Sequence, residues 1–179
     1  ASSLVKSGFT CKIYNAETPQ EKLSESVDNK LLLARPQDYI NALRDDYHMV
    51  WKEVMATLQR SKPDVVGISV ITPTYGSALK ISQIVKEYNK DCRVICGGPH
   101  PTVEAERVLE EKTVDFVIRG EGENTIVELC KVIESKYYED LSKIKGLSYR
   151  GEGVIFHNQP KELAKNILKI YIYLFFISG

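Results

Sequence analysis

Three stretches of this chain, "PDVVGISVI", "CRVICGG" and "VDFVIRG", limit what it can fold into more than any other feature. Each is an apolar, β-branched run without the polar alternation of a half-exposed strand, so each is expected to be covered on both faces. Each runs into a glycine-bearing loop ("TPTYGS", "GGPHPT", "GEGENT") and then into a segment with helical spacing of its apolar residues. Leu79, Ile81, Ile84, Val85 and Tyr88 carry that spacing in the first, and Ile126, Leu129, Val132 and Ile133 in the third. The unit recurs three times at about thirty-residue intervals, which implies right-handed βαβ crossovers in a parallel sheet. The expected fold is α/β: a Rossmann-like (flavodoxin-like), doubly wound, mostly parallel sheet. Ligands of such sheets bind beyond the carboxyl ends of the strands. The three loops would gather there, where glycine lets backbone approach a ligand closely. "CGGPHPT", Cys96 to Thr102, is too rich in glycine and proline for a strand and opens a helix poorly. It reads as loop, with Pro101 near the first turn of the helix that follows.

The flanks are less regular. "ASSLVKSGF" reads as the last turns of a helix closed by Gly8, and "TCKIYNAE" as a strand with Cys11 and Ile13 facing inward. Residues 20–48 read as a partly helical excursion with Pro36 as a breaker. "YHMVWKEVMATLQRS" then spaces Val50, Val54 and Leu58 along one helix face, with Trp51 and Met55 beside them. "IKGLSYRGEGVIFHNQP" is expected to be a C-terminal β-hairpin turning at Gly151-Glu152-Gly153. The apolar run Ile170 to Ile177 is far shorter than the ~20 residues of a membrane helix. The expected division is a domain over residues 1–158 and a tail, strand or linker, over 159–179.

At 179 residues the chain suits one domain with a real core. Its 24 basic residues are balanced by 24 acidic ones, which argues against a nucleic-acid partner, and no segment argues for a membrane. Cys11, Cys92, Cys96 and Cys130 lack the spacing of a disulfide framework and read as reduced thiols of a cytoplasmic protein. Cys92 and Cys96 have CxxxC spacing, but Pro99 stands where a third cluster thiol would be needed, so no metal ligand is assigned. The loops carry no phosphate-binding lysine. "RGEGENT" breaks the dinucleotide fingerprint at Thr125, and its Glu121 and Glu123 would repel a pyrophosphate. That loop could instead accept hydrogen bonds from ribose, amide or amine groups, or be a solvated turn. His100 could be a ligand, a general base or a loop imidazole capping a helix. No nucleophile stands beside it, and no catalytic residue is assigned. His48 and His157 read as surface or packing residues, and Tyr137 and Tyr138 as packing residues. A flavin-binding domain would need a Ser/Thr-rich loop after the first strand, and a receiver domain an acidic pair; neither is present.

Taken together, "PDVVGISVITPTYGSALKI", "VICGGPHPT", "VDFVIRGEGENTIVEL" and "IKGLSYRGEGVIFHN" resemble the cobalamin-binding domain of B12-dependent radical SAM enzymes, the group that includes the anaerobic magnesium-protoporphyrin monomethyl ester oxidative cyclase. The resemblance implies a corrin ring held over the carboxyl edge of the sheet, for methyl transfer or radical chemistry. By position, Ser69, Thr72 and Thr74 would meet the nucleotide tail or the ring's amides. Gly97, Gly98 and His100 would line the tail's path, and Gly120, Glu121, Gly122 and Glu123 would flank the lower face or tail. Another cobalamin group uses a D-x-H-x-x-G motif whose histidine binds cobalt. Asp46-Tyr47-His48 begins that string, but Trp51 ends it. The CxxxCxxC cluster that cleaves S-adenosylmethionine is absent, so iron–sulfur cluster and S-adenosylmethionine would belong to a radical SAM catalytic domain in cis or trans, and this chain alone would catalyse nothing. The family's domain opens with a strand, central in a 2-1-3-4-5 sheet, that this chain is expected to lack. Ile170 to Ile177 is expected to fill the vacant slot or to pair with a second chain, and unpaired strand edges would offer a homodimer contact. The alternative is a truncated or degenerate Rossmann-like domain that holds no cofactor and serves protein contacts.

Overall fold

The structure, a computed structural model, describes residues 2–14, 36–161 and 174–178. Seven strands form one mixed sheet: β1 (Thr10–Tyr14), β2 (Val65–Ser69), β3 (Arg93–Gly97), β4 (Phe116–Ile118), β5 (Leu147–Gly151), β6 (Val154–His157) and β7 (Leu174–Ser178), in the order β1-β7-β2-β3-β4-β5-β6. The helices are α1 (Ser2–Lys6), α2 (Pro36–Arg44), α3 (Met49–Ser61), α4 (Tyr75–Tyr88), α5 (Pro99–Val103), α6 (Ala105–Glu110) and α7 (Glu123–Ser135), with 3-10 turns at Thr72–Thr74 and Tyr138–Lys143.

The uninterrupted apolar runs follow from the two-sided core. Successive strand residues point to opposite faces. Val66, Ile68, Val94, Cys96 and Val117 enter one cluster with Trp51, Val54 and Leu58 of α3 and Ile81, Ile84 and Val85 of α4. Their neighbours Val65, Ile95, Phe116 and Ile118 enter a second cluster with Leu4 of α1 and Leu129, Cys130 and Val132 of α7. Helices therefore cover both faces. β2 pairs parallel with β3 and β3 with β4, as the βαβ reading requires, and β5–β6 form the hairpin. Its turn places Glu152 and Gly153 at positive φ (50° and 80°), the primed geometry that matches strand twist.

β7 lies between β1 and β2, in the slot that Ile170 to Ile177 is expected to fill, and runs antiparallel to both; residues 170–173 of that segment lie outside the described residues. Several local expectations are corrected. Pro36 opens α2 rather than breaking a helix, since an N-terminal proline loses no helical hydrogen bond. Tyr75 to Ser77 belong to α4, not to the loop before it. The prolines of "PHPT" also start a helix: Gly98 turns the chain, α5 begins at Pro99, and α6 restarts after Glu104. In β1, Cys11 is half-buried against the second cluster as expected, but Ile13 is 53% exposed, and Tyr14 is the strand residue buried in the first cluster. Tyr137 is exposed rather than packed, while Tyr138 is partly exposed with the Arg93 guanidinium 6.0 Å from its ring centroid. The part of the 20–48 excursion within residues 15–35 lies outside the described residues.

Candidate functional site

Register puts the three informative loops side by side. Ser69 pairs with Gly97 and Gly97 with Ile118, so β2, β3 and β4 end at one level. Each loop then differs in what its residues do.

After β2, Ser69 is half-buried and Thr72 exposed. Thr74 is buried, and its hydroxyl is used within its own turn, accepting from Ile71 N at 3.3 Å and donating to Ile71 O at 3.1 Å. It shapes the loop and does not face outward. The α4 N-terminus that follows is covered by α2. Tyr39 Oη accepts from Ser77 N at 3.1 Å, and a Cβ on Gly76 would stand 2.9 Å from Leu43 Cδ1.

After β3, Gly98 sits at φ 105°, ψ −174°, a region only glycine occupies readily. A Cβ there would lie 2.8 Å from Val70 O and 3.1 Å from Val70 N. Gly98 is thus required by the approach of two loops to each other. Gly97 has more space, its nearest neighbour being Ile118 O at 3.8 Å. His100 donates its backbone N–H to Val70 O at 3.2 Å, and its ring is buried against Tyr75, with centroids 4.5 Å apart. Its Nδ1 lies 3.2 Å from Thr72 Oγ1, and its buried Nε2 has no hydrogen-bond partner among the described residues. The imidazole is a strut between the first two loops.

After β4, Gly120 has φ 72° and nothing within 4 Å of a Cβ, and Glu121 and Glu123 are exposed at the mouth of α7. Gly122 packs closely, since its Cβ would be 3.0 Å from Ile118 Cγ2. Two residues of this edge were not anticipated. Thr102 Oγ1 donates to Gly98 O at 2.8 Å and accepts from Gly120 N at 3.0 Å. Arg119 donates its backbone N–H to Gly146 O at 2.8 Å and its guanidinium to Asn158 O, tying the loop to the hairpin. Burial holds that guanidinium below the usual arginine range. Thr102's bond to Gly98, four residues back, is a local contact, but its bond to Gly120, 18 residues on, and the Arg119 contacts had no signal in the sequence.

The edge therefore presents short polar groups and open backbone, with His100 buried behind it. The described residue pair nearest to a nucleophile and base is Ser148 Oγ and His157 Nδ1, 2.9 Å apart on the hairpin, and Ser148 is fully buried. His48 caps α3, its Nδ1 accepting from Val50 N at 3.4 Å. Burial pushes the thiols of Cys92, Cys96 and Cys130 up to about 12, so they stay protonated and unreactive near neutral pH. An aromatic-disulfide thiol assay at pH 8 is expected to find at most Cys11 reacting slowly in the folded protein and all 4 cysteines reacting in denaturant. Fast native reaction of a second thiol would contradict this burial.

The family described as "B12 binding domain" matches residues 37–130. The chain is similar to an uncharacterized methyltransferase of Pyrococcus horikoshii, 32% identical over 74% of this chain and 28% of that protein. It is also similar to the anaerobic magnesium-protoporphyrin IX monomethyl ester cyclase of Rubrivivax gelatinosus, 31% identical over 62% of this chain and 20% of that one. It thus spans less than a third of either relative's length. Among solved structures, the radical S-adenosylmethionine methyltransferase TsrM of Kitasatospora setae superposes with a TM-score of 0.52 at 25% identity, over 66% of this chain and 23% of that one. The cobalamin-dependent S-adenosylmethionine radical enzyme OxsB, solved with aqua-cobalamin and S-adenosylmethionine bound, gives a TM-score of 0.52 at 25% identity, over 63% and 16%.

Proposed function

The chain belongs to the B12-binding domain family, and from that membership we propose that it is the cobalamin-holding module of a B12-dependent radical SAM enzyme. The observation that supports this reading most is the common level of Ser69, Gly97 and Ile118, which turns three separate loops into one ligand edge. The edge suits a corrinoid, a wide ligand rimmed with neutral amides. Thr72, Thr102 and Gly120 are exposed, and Gly120 leaves open the space a side chain would take. In this reading Ser69, Thr72, Gly97, Gly120, Glu121, Gly122 and Glu123 meet the cofactor. Thr74, Gly98 and His100 act behind them, by fixing the loops. In this reading His100 serves as a strut between loops and not as a cobalt ligand, which its Nδ1 contact with Thr72 and the burial of its ring support. When bound, cobalamin supplies methyl-transfer or radical chemistry to a radical SAM catalytic domain, and this chain's own residues bind and orient it.

The similarity to OxsB and to the cyclase supports a catalytic partner domain of that kind. Among the described residues no helix is long and apolar enough to cross a membrane, and the free thiols suit a cytoplasmic setting. A homodimer would form through β1 or β6, the two outer strands of the sheet, because β7 pairs within it.

A second reading, a degenerate domain kept for protein contacts, draws on β7. That strand begins at Leu174, opposite Ile68, beside the carboxyl end of β2. Titration with hydroxocobalamin followed by gel filtration separates the two. Corrinoid co-eluting with the protein, its visible bands shifted from those of the free cofactor, is the expected result. A folded, monodisperse protein that elutes colourless would favour the second reading.

A further inference from the structure

We propose that Thr102 is a positioning residue of the ligand edge, whose hydroxyl presets the Gly120 loop against the Gly98 turn; the role rests on reading that edge as the corrinoid site. A hydroxyl has one proton to donate and two lone pairs to accept with. Gly98 O can only accept and Gly120 N–H can only donate, so the contacts at 2.8 Å and 3.0 Å fix the direction of both bonds. Thr102 is itself anchored, since its backbone N–H donates to the same Gly98 O at 3.1 Å. Its branched Cβ restricts the side chain further.

The need for such a bond comes from Gly120. At φ 72°, with nothing within 4 Å of a Cβ, Gly120 gains little from packing, and glycine loses more conformational freedom on ordering than any other residue. A loop held in its bound geometry beforehand does not incur that loss when the ligand arrives. Gly98, the other end of the bridge, is fixed against Val70. The hydroxyl therefore ties the Gly120 loop to the β2–β3 crossing. Together with His100 and Thr72, it lets α5 stitch all three loops: His100 toward β2, Thr102 toward β4.

Two substitutions separate this role from a general effect on folding. Thr102→Val keeps the branched shape and removes both bonds, at an exposed position where the fold should survive, as a thermal melt will report. Thr102→Ser keeps the hydroxyl. Amide exchange at Gly120, measured by NMR without ligand, is expected to rise roughly tenfold in the valine variant. The dissociation constant for hydroxocobalamin is expected to rise about tenfold, and serine should restore both. Unchanged exchange at Gly120, faster exchange with unchanged affinity, or failure of serine to rescue would each overturn the proposal. Should the wild-type protein bind no hydroxocobalamin, the corrinoid reading falls and Thr102's role toward a cofactor with it, while Gly120 exchange still reports whether the bond exists.

Discussion

Gly98→Ala is expected to destabilise the protein by about 3 kcal/mol, a sum of backbone strain and overpacking. For a domain of this size that lowers the melting temperature by roughly 6–12 °C. The cause is local and backbone-borne. A methyl at this position meets Val70 O at 2.8 Å and Val70 N at 3.1 Å, neither of which can rotate away as a side-chain tip could. The φ of 105° with extended ψ adds strain for any residue with a Cβ. Relief would require the β2 and β3 loops to separate, and that would break His100 N–Val70 O and pull His100 from Thr72. Cofactor retention should therefore fall along with stability. Gly97→Ala is the control: its Cβ meets only Ile118 O at 3.8 Å and Ile118 Cβ at 3.9 Å, and less than about 1 kcal/mol should be lost. Equal melting temperatures for the two variants would refute the close-approach argument.

Asp115→Ala is expected to cost about as much, roughly 3 kcal/mol, without altering the ligand edge of protein that remains folded. Asp115 precedes β4 at the amino ends of the strands. Its carboxylate accepts from Lys86 Nζ at 2.6 Å, Val94 N at 2.7 Å and Arg93 Nη1 at 3.2 Å. The Lys86 and Asp115 side chains are each only 17% exposed, so removing the carboxylate leaves an ammonium and a backbone N–H poorly solvated. Lys86 keeps two further acceptors, Cys92 O at 2.8 Å and Lys90 O at 3.4 Å, which limits the loss. Asparagine preserves an acceptor for Val94 N and discards the charge, and should fall about midway. Urea unfolding of the three proteins measures this, with hydroxocobalamin affinity as the second readout. A loss under about 1 kcal/mol in the alanine variant would mean that Lys86 and Arg93 find water instead.

These two sites also mark what the sequence could reveal. β2 to β4 were legible because burial on both faces leaves an apolar run with no polar alternation, and their parallel pairing then followed from the βαβ rule. The hairpin was legible from Gly151-Glu152-Gly153, since a two-residue turn demands positive φ. The glycines of "CGGPHPT" also signalled backbone freedom. The reason for Gly98, contact with Val70 of another strand's loop, is a tertiary fact without a local pattern. The same holds for Thr102 with Gly120 and Tyr39 with Ser77, pairs 18 and 38 residues apart. The prolines of "PHPT" and Pro36 misled because they suit a helix's first turn as well as they break its interior. The direction of β7 was likewise unreadable. An apolar strand specifies burial, while parallel or antiparallel pairing depends on where the chain enters the sheet, here at Leu174 beside Ile68.

The most direct test of the ligand edge is residue-resolved amide exchange of the whole chain with and without hydroxocobalamin. The prediction is simultaneous slowing in three separate segments, residues 69–74, 97–102 and 120–123, with the amino-edge amides around Asp115 unchanged. Protection confined to one loop, or located at the amino edge or on the hairpin, would contradict the claim that these three loops together hold the corrinoid.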